Sequence, residues 1–282
     1  MTASLRLWLA TMLLLLLAPP ALAEPLMVAA DHSLTAAQYA EKGLPLPNRP
    51  WDDDDLRHAV GILQKLAAED PLKLPRRESA ASGAVFARLV APLPLAKDAT
   101  TTDDLRARIA DLSGYAQPRG ALALLYAKPL AGDFFFDAEL VEATRVALDV
   151  NLQLLQLINR ARGLRENTAA PQWLQREAGQ VVYGAALTIR GALFIHAARR
   201  AFRPEWRDRL AGDLQKLVPA LMAQLPETTH AEILAHLHGL MLEDPKGYAD
   251  WQQLQQLMTF AGHGPPAFAK PRKAKRAHPK KK

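Results

Sequence analysis

The sequence predicts an all-α protein whose helices form an antiparallel multi-helix bundle. Apolar residues recur at positions i, i+3, i+4 and i+7 along most of the chain, which is the spacing that lines one face of an α-helix. No pair of alternating segments flanks a hairpin turn, so no sheet is predicted. A helical-repeat solenoid is the alternative architecture, because helix pairs follow one another with short loops.

The first 23 residues have the pattern of a secretory signal peptide. Arg6 supplies a positive charge, residues 7–17 are apolar, and the Ala21-Leu22-Ala23 cleavage pattern stands before Glu24. The apolar run is shorter than the roughly 20 residues that span a bilayer, which disfavours an uncleaved membrane anchor. We therefore expect a periplasmic or secreted protein of bacterial origin that begins at Glu24 after cleavage.

The remaining chain divides into three parts. Residues 24–50 are predicted to be an N-terminal adaptor segment with one short helix over 33–42, because glycine and prolines keep the rest extended. Residues 51–264 form the helical domain, since no stretch before the tail resembles a linker. Residues 265–282, here called the basic tail, contain PRKAKRAHPKKK and are predicted to be disordered, because they have too little apolar surface to bury.

Helices within the domain are predicted from apolar periodicity and from helix-end signals. They are expected over 52–70, 78–91, 103–112, 118–128, 136–162 and 171–202, and then from Pro204, from Thr229 and from Pro245. The segment 118–128 is also compatible with a strand, but Ala and Leu outnumber its β-branched residues and favour a helix. Thr229 and Glu232 have the spacing of a capping box. Proline at 219 should kink its helix.

Small residues form a stripe on the helix predicted over 171–202. Gly184, Gly191 and Ala198 recur every seven positions. Because a glycine inside a helix costs about 1 kcal/mol relative to alanine, the stripe indicates a compensating close approach of another helix. The helix over 136–162 is the expected neighbour.

The absent motifs exclude several chemistries. The chain has no cysteine, which excludes disulfides, thiolate metal sites, a cysteine nucleophile and a lipid-bearing cysteine. It also has no G-x-G-x-x-G, Walker A or G-x-S-x-G motif. The four residues His230, Glu232, His236 and His238 do not converge on one side of a helix, as zinc ligands must. We predict no metal, no cofactor and no catalytic residue.

Three polar residues define a candidate pocket: Asn151, Arg190 and His196. Asn151 and Arg190 stand on otherwise apolar helix faces. The structural interpretation is that Asn151 fixes helix register through a hydrogen bond and that Arg190 extends past apolar neighbours to solvent. The functional interpretation is a pocket for an acidic ligand.

The basic tail carries the main positive functional signal outside the targeting segment. Eight of the 35 Lys and Arg residues are Lys270, Arg272, Lys273, Lys275, Arg276, Lys280, Lys281 and Lys282. One more lies in the signal segment, so residues 24–269 carry 26 basic against 29 acidic residues, or about −3. Such a tail binds polyanions electrostatically. The expected partner is an anionic membrane or lipopolysaccharide surface, and export disfavours nucleic acid.

These observations predict an exported, non-catalytic helical protein with a binding or structural role in the periplasm. Its tail is expected to contact anionic envelope surfaces, and a protein partner is also compatible with the sequence. The alternative is a periplasmic enzyme with a site assembled between helices around Arg190 and His196.

Overall fold

The computed structural model describes residues 27–28, 31–93, 101–128, 134–163, 171–244 and 247–261. Within these residues the protein is all-α, as predicted, apart from one two-residue strand pair. The nine helices are α1 (Ala36–Glu41), α2 (Asp53–Glu69), α3 (Gly83–Leu89), α4 (Thr102–Ala127), α5 (Asp137–Gly163), α6 (Gln172–Ala197), α7 (Pro204–Met222), α8 (Glu227–Glu243) and α9 (Tyr248–Ala261). The predicted signal peptide (1–23) and the basic tail lie outside the described residues.

Helix α5 is the centre of the bundle. It contacts α4, α6 and α7, and 17 of its 27 residues are buried. Around it, α2 packs on α4, α8 packs on α6, and α9 packs on α7 and α8. Burial of α5 on several sides explains why its sequence is apolar over more than one face.

The segment before the domain is fastened to the bundle. Residues Met27–Val28 (β1) pair in parallel with Phe134–Phe135 (β2), a strand pair that the sequence did not predict. Tyr39 of α1 is fully buried, and its hydroxyl donates to the Lys73 carbonyl at 2.5 Å. Ser82 Oγ donates to Ser33 Oγ at 2.8 Å. The predicted adaptor is therefore in part a component of the hydrophobic core.

Helix α2 agrees closely with its prediction. The Asp52 side chain accepts from the backbone N–H of Asp55 at 2.8 Å, and the Asp55 side chain accepts in return from the N–H of Asp52. This is a capping box with aspartate at both positions, and it fixes the start of the helix. Its buried residues are those that helical spacing puts on one face: Leu56, Ala59, Val60, Leu63, Leu66 and Ala67.

Helix α4 corrects the prediction of two separate helices over 103–112 and 118–128. It is continuous, with Pro118 in its interior. Residues on both sides of the proline, such as Leu112 and Leu122, are buried in the same core, and this packing outweighs the hydrogen bond that proline removes. The helix is capped by Thr101, one residue before the position expected from the sequence.

Helix α3 is shorter than the predicted segment 78–91. The hydroxyl of Ser79 accepts from the backbone N–H groups of Ala81 and Ser82 at 3.1 and 3.2 Å. Serine hydroxyls that bond to nearby backbone offer an alternative to helical hydrogen bonds, so the helix begins only at Gly83.

Candidate functional site

The three residues of the candidate pocket lie in three different surroundings. Asn151 lines a cleft between α4, α5 and α6, which we call the Asn151 cleft. His196 lines a second cleft between α6, α7 and α9, which we call the His196 cleft. The two clefts share no lining residue, and Arg190 lines neither of them. The described structure therefore brings none of the three together in one pocket.

Arg190 is paired across two helices. Its Nη2 lies 3.1 Å from Glu232 Oε2 of α8, and the side chain is 28% exposed. This agrees with an arginine that extends past apolar neighbours to reach an acid at the surface. The pair also corrects the predicted capping box at Thr229, because α8 begins at Glu227 without a side-chain cap. Glu232 is used in contact with α6 instead.

His196 is a buried, uncharged histidine. Its side chain is at the end of α6, the residue is 3% exposed, and Nδ1 has no hydrogen-bond partner in the described structure. Burial, together with the positive charge of Arg199, lowers the pKa of His196 to about 3. The imidazole is therefore neutral near pH 7.

Arg199, close to His196, forms hydrogen bonds with two carboxylates. It is 2% exposed and follows α6 in a short 3₁₀ turn, Arg199–Ala201. Nη1 donates to Asp244 Oδ2 at 3.2 Å, and Nη2 donates to Asp250 Oδ2 at 3.0 Å. The indole Nε1 of Trp251 donates to the same Asp244 oxygen at 2.9 Å. This network joins the ends of α6 and α8 to the start of α9.

The Arg199 network was missed by sequence analysis. A helix was predicted from Pro245, but residues 245–246 lie outside the described residues and α9 begins at Tyr248. Two carboxylates neutralise the buried guanidinium, so Arg199 offers no free charge to an acidic ligand. The sequence feature that could have indicated this network is the position of Arg199, a charged residue that directly follows the apolar C-terminal part of α6.

The His196 cleft is small and is lined by both positively and negatively charged side chains. Its volume is about 230 Å³. Its lining residues are His196, Arg199, Arg207, Asp208, Ala211, Leu214, Gln215, Asp250, Gln253 and Leu254. Arg207 Nε lies 3.7 Å from Asp208 Oδ1, and both side chains are exposed, so their interaction is weak.

The Asn151 cleft has the same volume, about 230 Å³, and a different character. Apolar side chains form much of its wall, and amides and hydroxyls supply the polar groups. Glu177 is its one charged lining residue. Asn151 is 4% exposed, and its Nδ2 donates to the Ala147 carbonyl at 2.8 Å and to Thr188 Oγ1 at 3.2 Å. The second bond joins α5 to α6, as the register interpretation predicts.

The histidines of α8 do not form a metal site in the described structure. His230 Nε2 lies 3.0 Å from the Met258 carbonyl of α9. Burial lowers the pKa of His236, and the neighbouring Arg190 lowers it further. No group of three or more His, Asp or Glu residues has metal-binding geometry among the described residues.

The outer face of α9 has almost no charge. Asp250 is its one ionisable side chain apart from Tyr248, and Asp250 pairs with Arg199. The exposed residues beyond it are Gln252, Gln253, Gln256, Leu257, Thr259 and Phe260. Phe260 is 75% exposed, the highest exposure of any large hydrophobic residue described. The described part of α9 ends at Ala261, nine residues before the first lysine of the basic tail.

One helix of the described structure, α6, is long and apolar enough to cross a membrane by length and composition alone. Over half of the most apolar stretch of α6, 56%, is buried inside the bundle, as is usual for a core helix of this composition.

Comparison of the chain with protein-family models, with curated proteins and with solved structures finds no match.

Proposed function

We propose that the protein is an exported, non-catalytic helical binding protein that is held at anionic surfaces of the bacterial envelope by its basic tail. The signal-peptide pattern of residues 1–23 supports export. The tail carries eight positive charges and no acid, whereas residues 24–269 carry about −3. Attraction to phospholipid or lipopolysaccharide phosphates is therefore a property of the tail alone.

The charge of the basic tail carries this proposal, and the outer face of α9 adds a structural observation in its support. A face of glutamines, threonine and apolar side chains would approach a negative surface without repulsion, since its one carboxylate is neutralised by Arg199. Phe260 and Leu257, which are 75% and 38% exposed, lie three residues apart and near the basic tail in sequence. Aromatic and apolar groups beside basic residues are typical of helices that lie in a membrane interface.

The expected affinity follows from the two contributions. Each Lys or Arg near an anionic membrane contributes about 1 kcal/mol, so eight are sufficient for binding at low ionic strength. The attraction decreases within a Debye length, which is about 10 Å at 0.1 M salt and shrinks to a few Å near 1 M. The α9 face adds a smaller contribution that salt does not screen.

Vesicle co-sedimentation tests the proposal. The mature chain, residues 24–282, is expected to sediment with vesicles of phosphatidylglycerol and phosphatidylcholine at low ionic strength. It should remain in solution with pure phosphatidylcholine. A chain of residues 24–264 and a full-length variant with the eight tail Lys and Arg changed to Gln should both stay in solution. Equal binding by either variant would show that the tail is not the anchor.

The contribution of α9 is tested at constant charge. Phe260→Ser with Leu257→Ser should weaken vesicle binding of the mature chain while its salt dependence stays the same. Leu242→Ser is the matched control, because Leu242 is 69% exposed but lies at the far end of α8. If both changes have the same effect, the α9 face has no specific role.

The alternative function is an enzyme, and His196 is the observation that favours it. A buried histidine with a lowered pKa in a cleft is a recognised sign of an active site. Arg190, the second residue of that hypothesis, is paired with Glu232 and does not line the His196 cleft. The enzyme hypothesis therefore depends on His196 alone, and the binding function has the broader support.

A further inference from the structure

We infer that the Asn151 cleft is a binding site for a small, mainly apolar molecule that is uncharged or cationic and that donates a hydrogen bond from an N–H or O–H group to Asn151 Oδ1. Three features of the structure support this inference: the orientation of the Asn151 amide, the glycine beside it, and the lining of the cleft. It is independent of the basic tail.

The orientation of the Asn151 amide is fixed by its neighbours. The Ala147 carbonyl is only an acceptor, so the group 2.8 Å from it must be Nδ2. Thr188 donates its hydroxyl hydrogen to the Gly184 carbonyl at 2.9 Å, so Thr188 Oγ1 accepts from the same Nδ2. Both amide hydrogens are thereby used within the protein. Oδ1 is left without a hydrogen-bond partner in the described structure.

Oδ1 is an acceptor without a described protein partner on a side chain that lines the cleft and is only 4% exposed, so a molecule in the cleft can donate to it. A ligand that covers this oxygen without donating a hydrogen bond to it leaves a buried polar atom unpaired, which costs free energy, whereas a ligand with a donor avoids that cost. Ser113 Oγ is a second buried polar atom without a described partner, and Ser113 also lines this cleft. The wall of the cleft therefore contains one acceptor, Asn151 Oδ1, and one buried hydroxyl, Ser113 Oγ, without described partners.

Gly184 keeps the Asn151 oxygen uncovered. A Cβ atom at this position would lie 3.6 Å from Oδ1, which is an ordinary van der Waals contact. Alanine would therefore fit here without strain, and it would cover the oxygen on the side where Gly184 lines the cleft. Close helix packing, which the small-residue stripe predicts, does not by itself require a glycine at this position, because the nearest contact of a Cβ atom here would be ordinary.

The rest of the cleft indicates the character of the ligand. The apolar part of the wall comes from Ala116, Leu154, Val181 and Leu187, and the exposed Tyr183 also lines the cleft. Glu177 as the sole charged lining residue disfavours anions. A cavity of about 230 Å³ exceeds the roughly 150 Å³ that holds benzene, so a molecule of one or two rings fits.

Matched pairs of probes test the donor requirement. Indole and cyclohexanol each carry one hydrogen-bond donor, and 1-methylindole and methoxycyclohexane are their counterparts without it. We expect the full chain to bind the two donors with dissociation constants on the order of 1 mM, in keeping with their few heavy atoms. Each methylated counterpart should bind about tenfold more weakly, because it leaves Oδ1 unpaired.

Gly184→Ala tests the location without loosening the fold. Alanine favours the helix over glycine, so stability should be kept or raised while indole binding weakens by roughly fivefold or more. Gly179→Ala is the matched control, because it lies on the same helix and its Cβ would meet no atom within 4 Å. In ¹⁵N spectra, indole should shift the side-chain amide signal of Asn151.

Each result of these experiments either supports the inference or overturns it. Donor-dependent binding that Gly184→Ala weakens and Gly179→Ala does not would support the inference. Absence of binding by both donors at several times the expected dissociation constant would overturn it. Equal binding of the methylated probes, or wild-type binding by Gly184→Ala, would overturn it as well.

Discussion

The imidazole of His196 lies edge-on against the indole of Trp251, with ring centroids 4.7 Å apart and planes at 89°. The contact joins the end of α6 to α9 beside the buried Arg199 network. It also keeps the histidine out of water, and burial together with Arg199 lowers its pKa to about 3.

The depressed pKa of His196 predicts a loss of stability in mild acid. The unfolded chain takes up a proton near pH 6.5, whereas the folded chain does so only near pH 3. Between these values the folded state holds fewer protons, so stability falls as the pH falls, by up to about 1.4 kcal/mol per pH unit. Urea unfolding at pH 7 and pH 5 measures this change.

His196→Phe should remove that part of the pH dependence and keep an aromatic ring against Trp251. The difference between wild type and variant cancels the contributions of Asp244 and Asp250, the carboxylates nearest the ring. We expect the wild type to lose up to about 2 kcal/mol more than the variant between pH 7 and pH 5. Parallel losses in the two proteins would contradict an uncharged, buried His196.

Asp137 predicts a large effect of a minimal change. It is fully buried, and its oxygens accept from Arg203 Nε and Nη2, both at 2.9 Å, and from two backbone N–H groups. Asp137→Asn should lower the free energy of unfolding by about 1.5–3 kcal/mol, because a buried charged acceptor is replaced by an amide, while Arg203, which is 32% exposed, keeps Glu78 at 3.2 Å. Denaturant unfolding measures the loss.

Glu205 provides the control for Asp137. It also faces Arg203, at 3.7 Å, but its side chain is 60% exposed. Glu205→Gln should change stability by less than about 1 kcal/mol, as is usual for exposed pairs. Similar effects of the two substitutions would mean that burial does not set the strength of the Arg203 interactions.

Two glycines predict changes of opposite sign. Gly61 lies inside α2, and a Cβ there would meet no atom within 4 Å, so Gly61→Ala should stabilise by about 0.5–1 kcal/mol. Gly43 has a φ of 93°, in the left-handed region, so Gly43→Ala should destabilise by about 1 kcal/mol. In thermal unfolding, the midpoint should be higher for Gly61→Ala and lower for Gly43→Ala than for the wild type.

The fold was predictable where the signal is local and periodic. The inner face of α2 and the extent of α5 follow from apolar spacing. The continuous α4 was not predictable, because whether a helix passes through Pro118 depends on what covers Leu112 and Leu122 from other helices. Helix propensity is a property of one segment, whereas tertiary packing depends on contacts among several segments, which the local sequence does not contain.

The polar residues show the same division. Asn151 stands out in the sequence as a polar residue on an apolar face, and its side chain donates a hydrogen bond to Thr188 across the interface between α5 and α6. Its partner Thr188 is 37 residues away, and Glu232 is 42 residues from Arg190. No periodicity links residues at such distances. The sequence therefore identified polar positions in the bundle but not which of them meet.

The most direct test of the proposed function is fractionation of the cells that make the protein. The account predicts that the protein is found with the envelope fraction, that a wash with about 0.5 M salt releases it by screening the tail, and that the released chain begins at Glu24. A chain that begins at Met1, or one that stays in the cytoplasmic fraction at low salt, would contradict the proposal that this is an exported protein held by its basic tail.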